Sequence, residues 1–273
     1  MDQESEDKRL RELAVDKHDL EAAAFEDEYG SRSLAGHRST AFLLGRARID
    51  KLLGDRLVEM PSGSRILDAG CGTGHQVADL ISGGFDAVGL EPSVEMRQRA
   101  RALNSGIEIV DGTITDLPFE DASMDGIIAL EVLRYLPRGD VLRAYQEMHR
   151  VLRPGGMLFI TMVNRWAIDG YALWELVLSA RSRRQGGAPR AHCEFVTPRE
   201  VRRDLVSHGF VEVETSGRLL IPLRWAYKIH RGLGRVTASV LDPVDEVLAR
   251  LPGTTAFAGH LIVEARCNNH AVG

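Results

Sequence analysis

Cysteine is scarce in this chain: Cys71, Cys193 and Cys267 are the only three in 273 residues. An odd number at wide spacing gives neither a disulfide framework nor a zinc pattern. No His/Cys/Asp cluster has metal-ligand spacing, so no metal is expected. No apolar run reaches the ~18 residues that a membrane-spanning helix requires. The chain opens Met1-Asp2-Gln3-Glu4-Ser5-Glu6-Asp7, which is acidic and polar and does not read as a signal peptide. The expected compartment is therefore the cytoplasm. Basic excess is also lacking: the net charge is −5, which argues against general affinity for nucleic acid. There is no internal repeat and no low-complexity tract. What remains is 44% hydrophobic and 27% charged, the composition of a soluble globular protein.

The most informative stretch is Ile66-Leu67-Asp68-Ala69-Gly70-Cys71-Gly72-Thr73-Gly74, an apolar strand ending in a glycine turn that opens a helix. Glycines at 70, 72 and 74 let the backbone bend sharply and approach a ligand closely. The dinucleotide fingerprint needs a glycine where His75 stands, and a P-loop needs a Gly-Lys-Ser/Thr triplet that is absent. Both of those readings fail. A second short strand, Ala87 to Leu90, ends in Glu91, at the interval where doubly wound folds place an acid on ribose hydroxyls. Strands near 65–69, 87–91, 107–111, 125–130 and 157–163 alternate with helices near 74–82, 93–103 and 140–152. That alternation predicts an α/β fold with a parallel sheet covered on both faces.

The pattern Leu-Asp-x-Gly-Cys-Gly-Thr-Gly resembles motif I of the class I S-adenosylmethionine (SAM)-dependent methyltransferases, and further motifs follow in the family's order. The nearest likeness in pattern is to quinone-biosynthesis and natural-product small-molecule enzymes. The resemblance implies SAM as cofactor, S-adenosylhomocysteine as product, and a Rossmann-like doubly wound sheet. That sheet has seven strands, the last two antiparallel, near Val211–Val213 and Leu261–Val263. It places Asp68, Ala69, Gly70, Cys71, Gly72 and Gly74 in the cofactor loop and Glu91 on the ribose. Pro92 and Met96 fall against adenine, and Leu130 and Glu131 along the methionine end. Gly112-Thr113-Ile114 to Phe119 resembles the segment that reads the adenine edge, with Thr113 where the family carries an acid. Asp111 is an alternative for that contact. Arg150 to Ile160 resembles the family's turn into strand five, where Pro154-Gly155-Gly156 is turn chemistry alone.

Three additions surround this core. Residues 1–60 form an N-terminal helical lid segment, followed by the SAM-binding domain at 61–273. Apolar spacing from His37 to Leu57 predicts an amphipathic helix in that lid. Tyr29, Arg38 and Arg46 are its candidates for the methionine carboxylate. Cap insertions are expected at 164–197 and 218–255. A helix over 198–208, stopped by Gly209, separates them. Residues 165–235 carry thirteen bases against seven acids, among Trp166, Tyr171, Trp174, Trp225 and Tyr227. They are expected to form one basic aromatic cap with peripheral contact to an anionic membrane surface. The alternatives for this run are a solvated face paired partly with the acidic N-terminal segment and a soluble-substrate lid; for 218–255 a substrate lid, a dimer contact and a plain helical cap stand beside the membrane-surface reading, and the chain is read as a monomer or homodimer.

A sulfonium methyl is already activated, so direct displacement needs alignment more than acid–base power. The expected acceptor is a small, apolar or aromatic metabolite, a natural product or a quinone- or lipid-like molecule, methylated on oxygen or nitrogen. For a hydroxyl acceptor, the candidate bases are His192 first, then His37, Glu131 and Tyr135. Two alternatives stand beside this: N-methylation of an amine or peptide, and a SAM-binding protein with other chemistry. Base methylation is disfavoured, because Leu130-Glu131-Val132-Leu133 stands where such enzymes carry Asn/Asp-Pro-Pro-Tyr.

Overall fold

A computed structural model of the chain describes residues 6–20, 40–168, 171–184, 192–221 and 223–268. A helix over 6–20 (α1) precedes α2 (Ala41–Leu57), β1 (Arg65–Ala69), α3 (His75–Ser82), β2 (Asp86–Leu90) and α4 (Val94–Leu103). Next come β3 (Glu108–Val110), β4 (Met124–Ala129), α5 (Arg138–Val151), β5 (Leu152–Asn164) and α6 (Tyr171–Arg184). The chain continues through β6 (Phe195–Val196), α7 (Pro198–Ser207), β7 (Phe210–Arg218), α8 (Leu223–Ile229), α9 (Arg231–Leu248) and β8 (His260–Cys267).

The strands form one sheet in the order β3-β2-β1-β4-β5-β8-β7, with β6 beside the end of β5. Pairings from β3 to β5 are parallel, whereas β8 runs antiparallel to both β5 and β7. The chain reverses its direction of winding between β1 and β4. Folds of this kind bind ligands at that switch, beyond the carboxyl ends of the strands.

Both faces of the central strands are buried, which is why they read as continuous apolar runs. Leu67, Ile127, Leu158 and Ile160 face one core, with Tyr145 and Met148 of α5. Ile66, Ile128, Met157 and Phe159 face the other, where Ile49 and Leu53 of α2 and Val77 and Leu80 of α3 cover them. Thus α2 is packed into the sheet's second core. Helix α7 begins with a capping box: the Thr197 hydroxyl accepts from Glu200 N, and the Glu200 carboxylate accepts from Thr197 N.

Three expectations need correction. The sheet has an eighth strand, β6, whose two residues pair in parallel with Val163 and Asn164. Strand β5 outruns β4, and β6 satisfies that extra length of edge; two residues carry no periodicity to reveal it. Strand β7 extends to Arg218 because a register shift between Val211 and Glu214, with Glu212 at φ 51°, breaks the alternation that would mark its length. Finally, residues 165–235 are not one cap. Helix α7 and strand β7 belong to the sheet layers, and several bases of that run are engaged locally. Arg165 binds Glu200 at 3.0 Å, Arg202 donates to Val213 O at 3.0 Å, and Arg203 binds Asp204 at 3.1 Å.

Phe159, on β5, is fully buried in the second core. Phe159→Ala should lower stability by roughly 3–5 kcal/mol, read as an earlier midpoint at unchanged slope in chemical denaturation. A loss under ~1 kcal/mol would mean that α2 is not seated on this face.

Candidate active site

The carboxyl ends of β1, β2 and β4 open into a cavity of about 530 Å³. At its floor the chain leaves β1 through the glycine turn. Gly70, at φ 80°, donates to Leu90 O at 2.7 Å, and a Cβ there would sit 2.3 Å from Val132 Cγ2. Gly72, at φ 53°, has only open space where its Cβ would be. The first glycine therefore lets two strand ends approach, and the second keeps the backbone bare toward the cavity. Gly74 N-caps α3.

Glu91 is buried at the end of β2. Its carboxylate accepts from Gly72 N and from Ser93 N, both at 2.9 Å. Burial pushes the carboxyl above its ordinary range, and the two amides and Arg97 offset part of that push. Arg97 is itself buried under the start of α4, donating to Glu91 O at 2.7 Å, Pro92 O at 2.8 Å and Asp111 Oδ1 at 2.7 Å. Asp111 is thus committed to Arg97 and does not line the cavity, which removes it as an alternative to Thr113. Thr113, Ile114 and Thr115 form that wall, with the two threonine hydroxyls 3.1 Å apart.

Asp68 closes the floor. It is buried, and its carboxyl titrates at about 7: burial pushes it up, Arg46 draws it down, and the Glu91 charge pushes it up again. Arg46 reaches the cavity from α2, steadied by Asp50 at 2.6 Å and by the Gln76 side chain. The Cys71 thiol is driven up by burial and stays protonated.

The opposite end is aromatic. Tyr135, Tyr171, His18 and His260 line it with Leu219 and Leu223. Its fixed point is Glu131, at φ 62°, just past β4. Thr161 Oγ1 accepts from Glu131 N at 2.7 Å and donates to Oε1 at 3.1 Å. Arg134 donates to Oε2 at 2.9 Å, and His260 Nδ1 lies 3.7 Å from Oε1. Burial alone would raise this carboxyl, but His260, Arg134 and Thr161 outweigh it and hold the group at about 2. Arg134 also donates to Tyr171 Oη at 2.6 Å, and its guanidinium lies 5.4 Å from the centroids of both the Tyr135 and Tyr171 rings. Helix α1 covers this end. The His18 ring meets Tyr135 edge-on at 4.9 Å, Asp19 holds Ser93, and Arg11 reaches the buried Asp140 at 2.5 Å.

Among the sequence candidates, Asp68, Gly70, Cys71, Gly72, Glu91, Pro92 and Met96 meet at this cavity. Thr113, Ile114, Leu130, Glu131, Tyr135 and Arg46 meet there too. Ala69 and Gly74 lie behind the turn, outside the lining. Tyr29, His37 and Arg38 fall outside the described residues. His192 is not brought to the cavity: its Nε2 lies 3.2 Å from Glu194 Oε2. The physical reason is β6, because Glu194 N donates to Arg134 O at 2.7 Å and Phe195 pairs with β5. Burial pushes the Tyr135 phenol up to about 12, so it stays protonated near neutrality. His18, Arg134, Tyr171 and His260 were missed. For His260 a signal existed, since the first residue of an antiparallel last strand must emerge where the parallel strands end. Among the described residues, no three metal-ligating side chains come together.

Fold and site together define a Rossmann-like methyltransferase core, and comparison with known proteins says which. The methyltransferase-domain family matches residues 67–160. The ubiquinone biosynthesis O-methyltransferase of Methylocella silvestris is 30% identical over 196 residues, which are 67% of this chain and 72% of that protein. The 24-methylenesterol C-methyltransferase 2 of Oryza sativa subsp. japonica is 36% identical over 108 residues, covering 37% of this chain but only 29% of that protein. A solved SAM-dependent methyltransferase of Thermotoga maritima shares the fold at a TM-score of 0.57 and 19% identity, over 89% of this chain and 96% of that one. The chain belongs to the class I SAM-dependent methyltransferases.

The Asp68 carboxyl titrates at about 7 in the fold against 3.8 as a free side chain. For an acid raised by folding, its contribution to stability is complete below about pH 4, declines as pH rises, and is gone above about pH 7. Asp68→Asn should flatten that decline, leaving the ligand-free variant more stable than the wild type at pH 8 by up to roughly 4 kcal/mol. Melting temperatures of the two proteins across this range check it; parallel curves would place Asp68 in contact with solvent.

Proposed function

We propose that this chain transfers the methyl group of SAM to an oxygen of a small acceptor with an apolar or aromatic body. One observation carries the reading. The cavity is continuous, joining a polar floor of glycine turn and carboxylates to an aromatic chamber beyond Glu131.

The floor residues fit the cofactor. The bare backbone at Gly72 leaves room beside two buried carboxylates that lack a full complement of donors. Glu91 would accept from the ribose hydroxyls with its remaining lone pairs. Asp68 would meet the methionine ammonium, whose charge restores the ionised carboxylate, and Arg46 the methionine carboxylate. Thr113 and Ile114 would flank the adenine edge, and the backbone at Leu130 and Glu131 the methionine chain. When bound, SAM supplies an electrophilic methyl that needs no metal.

The chamber's work is alignment and exclusion of water. Tyr135, Tyr171, Leu219 and Leu223 offer flat and aliphatic surface for a mid-sized ring or chain. Glu131 is too weak a base to take a hydroxyl proton, and Tyr135 is not ionised near pH 7. We place His260 in the role expected of His192: its imidazole lies in the chamber, Nδ1 3.7 Å from Glu131 Oε1, and would receive the acceptor's proton, the carboxylate favouring the imidazolium that forms. The quinone O-methyltransferase likeness supports oxygen as the acceptor atom.

Calorimetry with SAM and S-adenosylhomocysteine should show binding that Glu91→Ala weakens by about 1–3 kcal/mol. Unchanged affinity in that variant would sink the ribose assignment. Labelled SAM incubated with fractionated extract should mark a small, organic-extractable product, in chelator as well as without it. Label confined to protein, or activity lost to chelator and restored by magnesium, would contradict the acceptor class or the metal-free step.

A further inference from the structure

Two tyrosine rings and a carboxylate stand together in the aromatic chamber: Tyr135, Tyr171 and Glu131 all line it. Aromatic faces beside an acid are the general means by which proteins hold ammonium ions, methylated ones above all, because the ring quadrupole attracts the charge and the carboxylate balances it. In this chain the place such an ion would take is filled from within. Arg134, in the short 3₁₀ turn Leu133–Tyr135, reaches back to the carboxylate three residues before it. Its guanidinium carbon lies 5.4 Å from each ring centroid. Nη1 donates to Glu131 Oε2 at 2.9 Å, and Nη2 donates to Tyr171 Oη at 2.6 Å. Only 12% of the side chain is exposed.

The bonds divide unevenly over the carboxylate. Glu131 Oε1 has Thr161 at 3.1 Å and His260 at 3.7 Å, whereas Arg134 is the partner of Oε2 among the described residues. Arg134 Nε is buried and has no partner among them. An arginine that ties a fold together uses its whole fork; this one uses two arms, and both reach groups of the chamber wall named above. Helix α1 adds Lys17, whose Nζ lies 5.1 Å from the Tyr135 centroid, so a second cation of the chain stands on that ring. Among the described lining residues Glu131 is the one acid at this end, since Asp68 and Glu91 lie on the floor. A protonated amine entering here would meet two fixed cations and an acid already balanced. A neutral hydroxyl on a ring or chain meets no such repulsion.

We propose that Arg134 determines the acceptor class: its guanidinium occupies a latent ammonium site and so closes the chamber to ammonium-bearing acceptors. The inference rests on the oxygen-acceptor reading above and extends it, because it names the group that refuses the competing amine class. Specificity of this kind works by repulsion as much as by fit. It also predicts a hidden property. Removing the guanidinium vacates the place between Tyr171 and Glu131 Oε2, beside the chamber, while Lys17 stays with Tyr135. The vacated place then offers an aromatic ring and an unbalanced carboxylate to a cation from outside.

The test uses the full chain with S-adenosylhomocysteine added, and tetramethylammonium chloride as the probe against equal sodium chloride. The wild type should show no calorimetric binding and no melting shift beyond the sodium control. Arg134→Ala should bind tetramethylammonium and melt later in its presence. Adding Glu131→Gln to Arg134→Ala should weaken that binding about tenfold. Arg134→Lys keeps a cation on a single-headed stem and should exclude the probe as the wild type does. Removing Arg134 leaves a carboxylate without its partner, which destabilises the fold. If Arg134→Ala loses its cooperative melt on that account, tetramethylammonium should restore it by binding the folded state, and so should methylguanidinium, which refills the same place. Binding by the wild type or by Arg134→Lys, neither binding nor a restored melt in Arg134→Ala, or an affinity indifferent to Glu131→Gln would each overturn the inference. None of these readouts needs turnover, so they stay separate from the extract assay, where label on nitrogen in place of oxygen would overturn the oxygen-acceptor reading instead.

Discussion

Two backbone amides, those of Gly72 and Ser93, meet on the one buried carboxylate of Glu91. The glycine turn after β1 and the start of α4 after β2 would otherwise be two separate loops with unpartnered N–H groups at strand ends. Glu91 joins them, and Arg97 beneath locks the same corner by donating to the carbonyls on either side. The geometry of the floor follows: the turn cannot move without breaking charge-assisted bonds inside a low-dielectric corner. Its electrostatics follow as well. Asp68 and Glu91 share that corner and both are desolvated; the Glu91 charge adds to the rise at Asp68 and the Asp19 charge to the rise at Glu91, so both carboxyls are raised. Two acids held above their ordinary range are poised for a ligand carrying hydroxyl donors and a cation.

The far end of the cavity is arranged on the contrary principle. Glu131 is partly buried, yet its carboxyl is driven down, because His260 and Arg134 flank it and Thr161 donates to it. Its left-handed backbone is stabilised by the Thr161 hydroxyl, which accepts its N–H. A carboxylate so satisfied does not itself take a proton. One cavity therefore contains an under-satisfied acidic end and a fully satisfied one. That contrast supports the proposal that the first end recognises the cofactor and the second serves the acceptor.

The parts legible in the sequence were those in which local chemistry dictates the backbone. The turn at 70–74 was readable because only glycine suits its left-handed residues. Glu91 was readable because a strand end fixes its distance from that turn. The sheet order from β3 to β5 was readable because alternating strands and helices leave few topologies. What escaped was set by contacts between distant segments. His192 looked like a chamber residue until β6 drew its neighbours onto β5, and no two-residue strand announces itself by period. Arg134 carried no motif of its own, yet it bridges Glu131, Tyr171 and Cys193 at 2.9, 2.6 and 3.5 Å. His18 sits in an acidic N-terminal stretch whose composition suggested only a solvated helix. Its place over Tyr135 depends on Asp19 reaching Ser93 and Arg11 reaching Asp140.

Those last contacts decide how the chamber opens. The other walls are anchored by apolar cores: α2 through Ile49 and Leu53, and the strand ends through the sheet itself. Helix α1 fully buries only Ala14 among its described apolar side chains, half-buries Leu10, Leu13 and Val15, and is further held by polar pairs at Arg11 and Asp19. Apolar burial grows with area, whereas a surface ion pair contributes at most about 1 kcal/mol. The Arg11 pair is stronger because Asp140 is buried, but Arg143 also lies 3.4 Å from that carboxylate and remains with it when Arg11 leaves. Detaching α1 therefore strands no buried charge. It has fewer fully buried apolar side chains than α2 or the sheet strands, and local opening of proteins runs through such elements. In the proposed function an acceptor would enter under this helix, whose His18 and Lys17 side chains touch the Tyr135 ring.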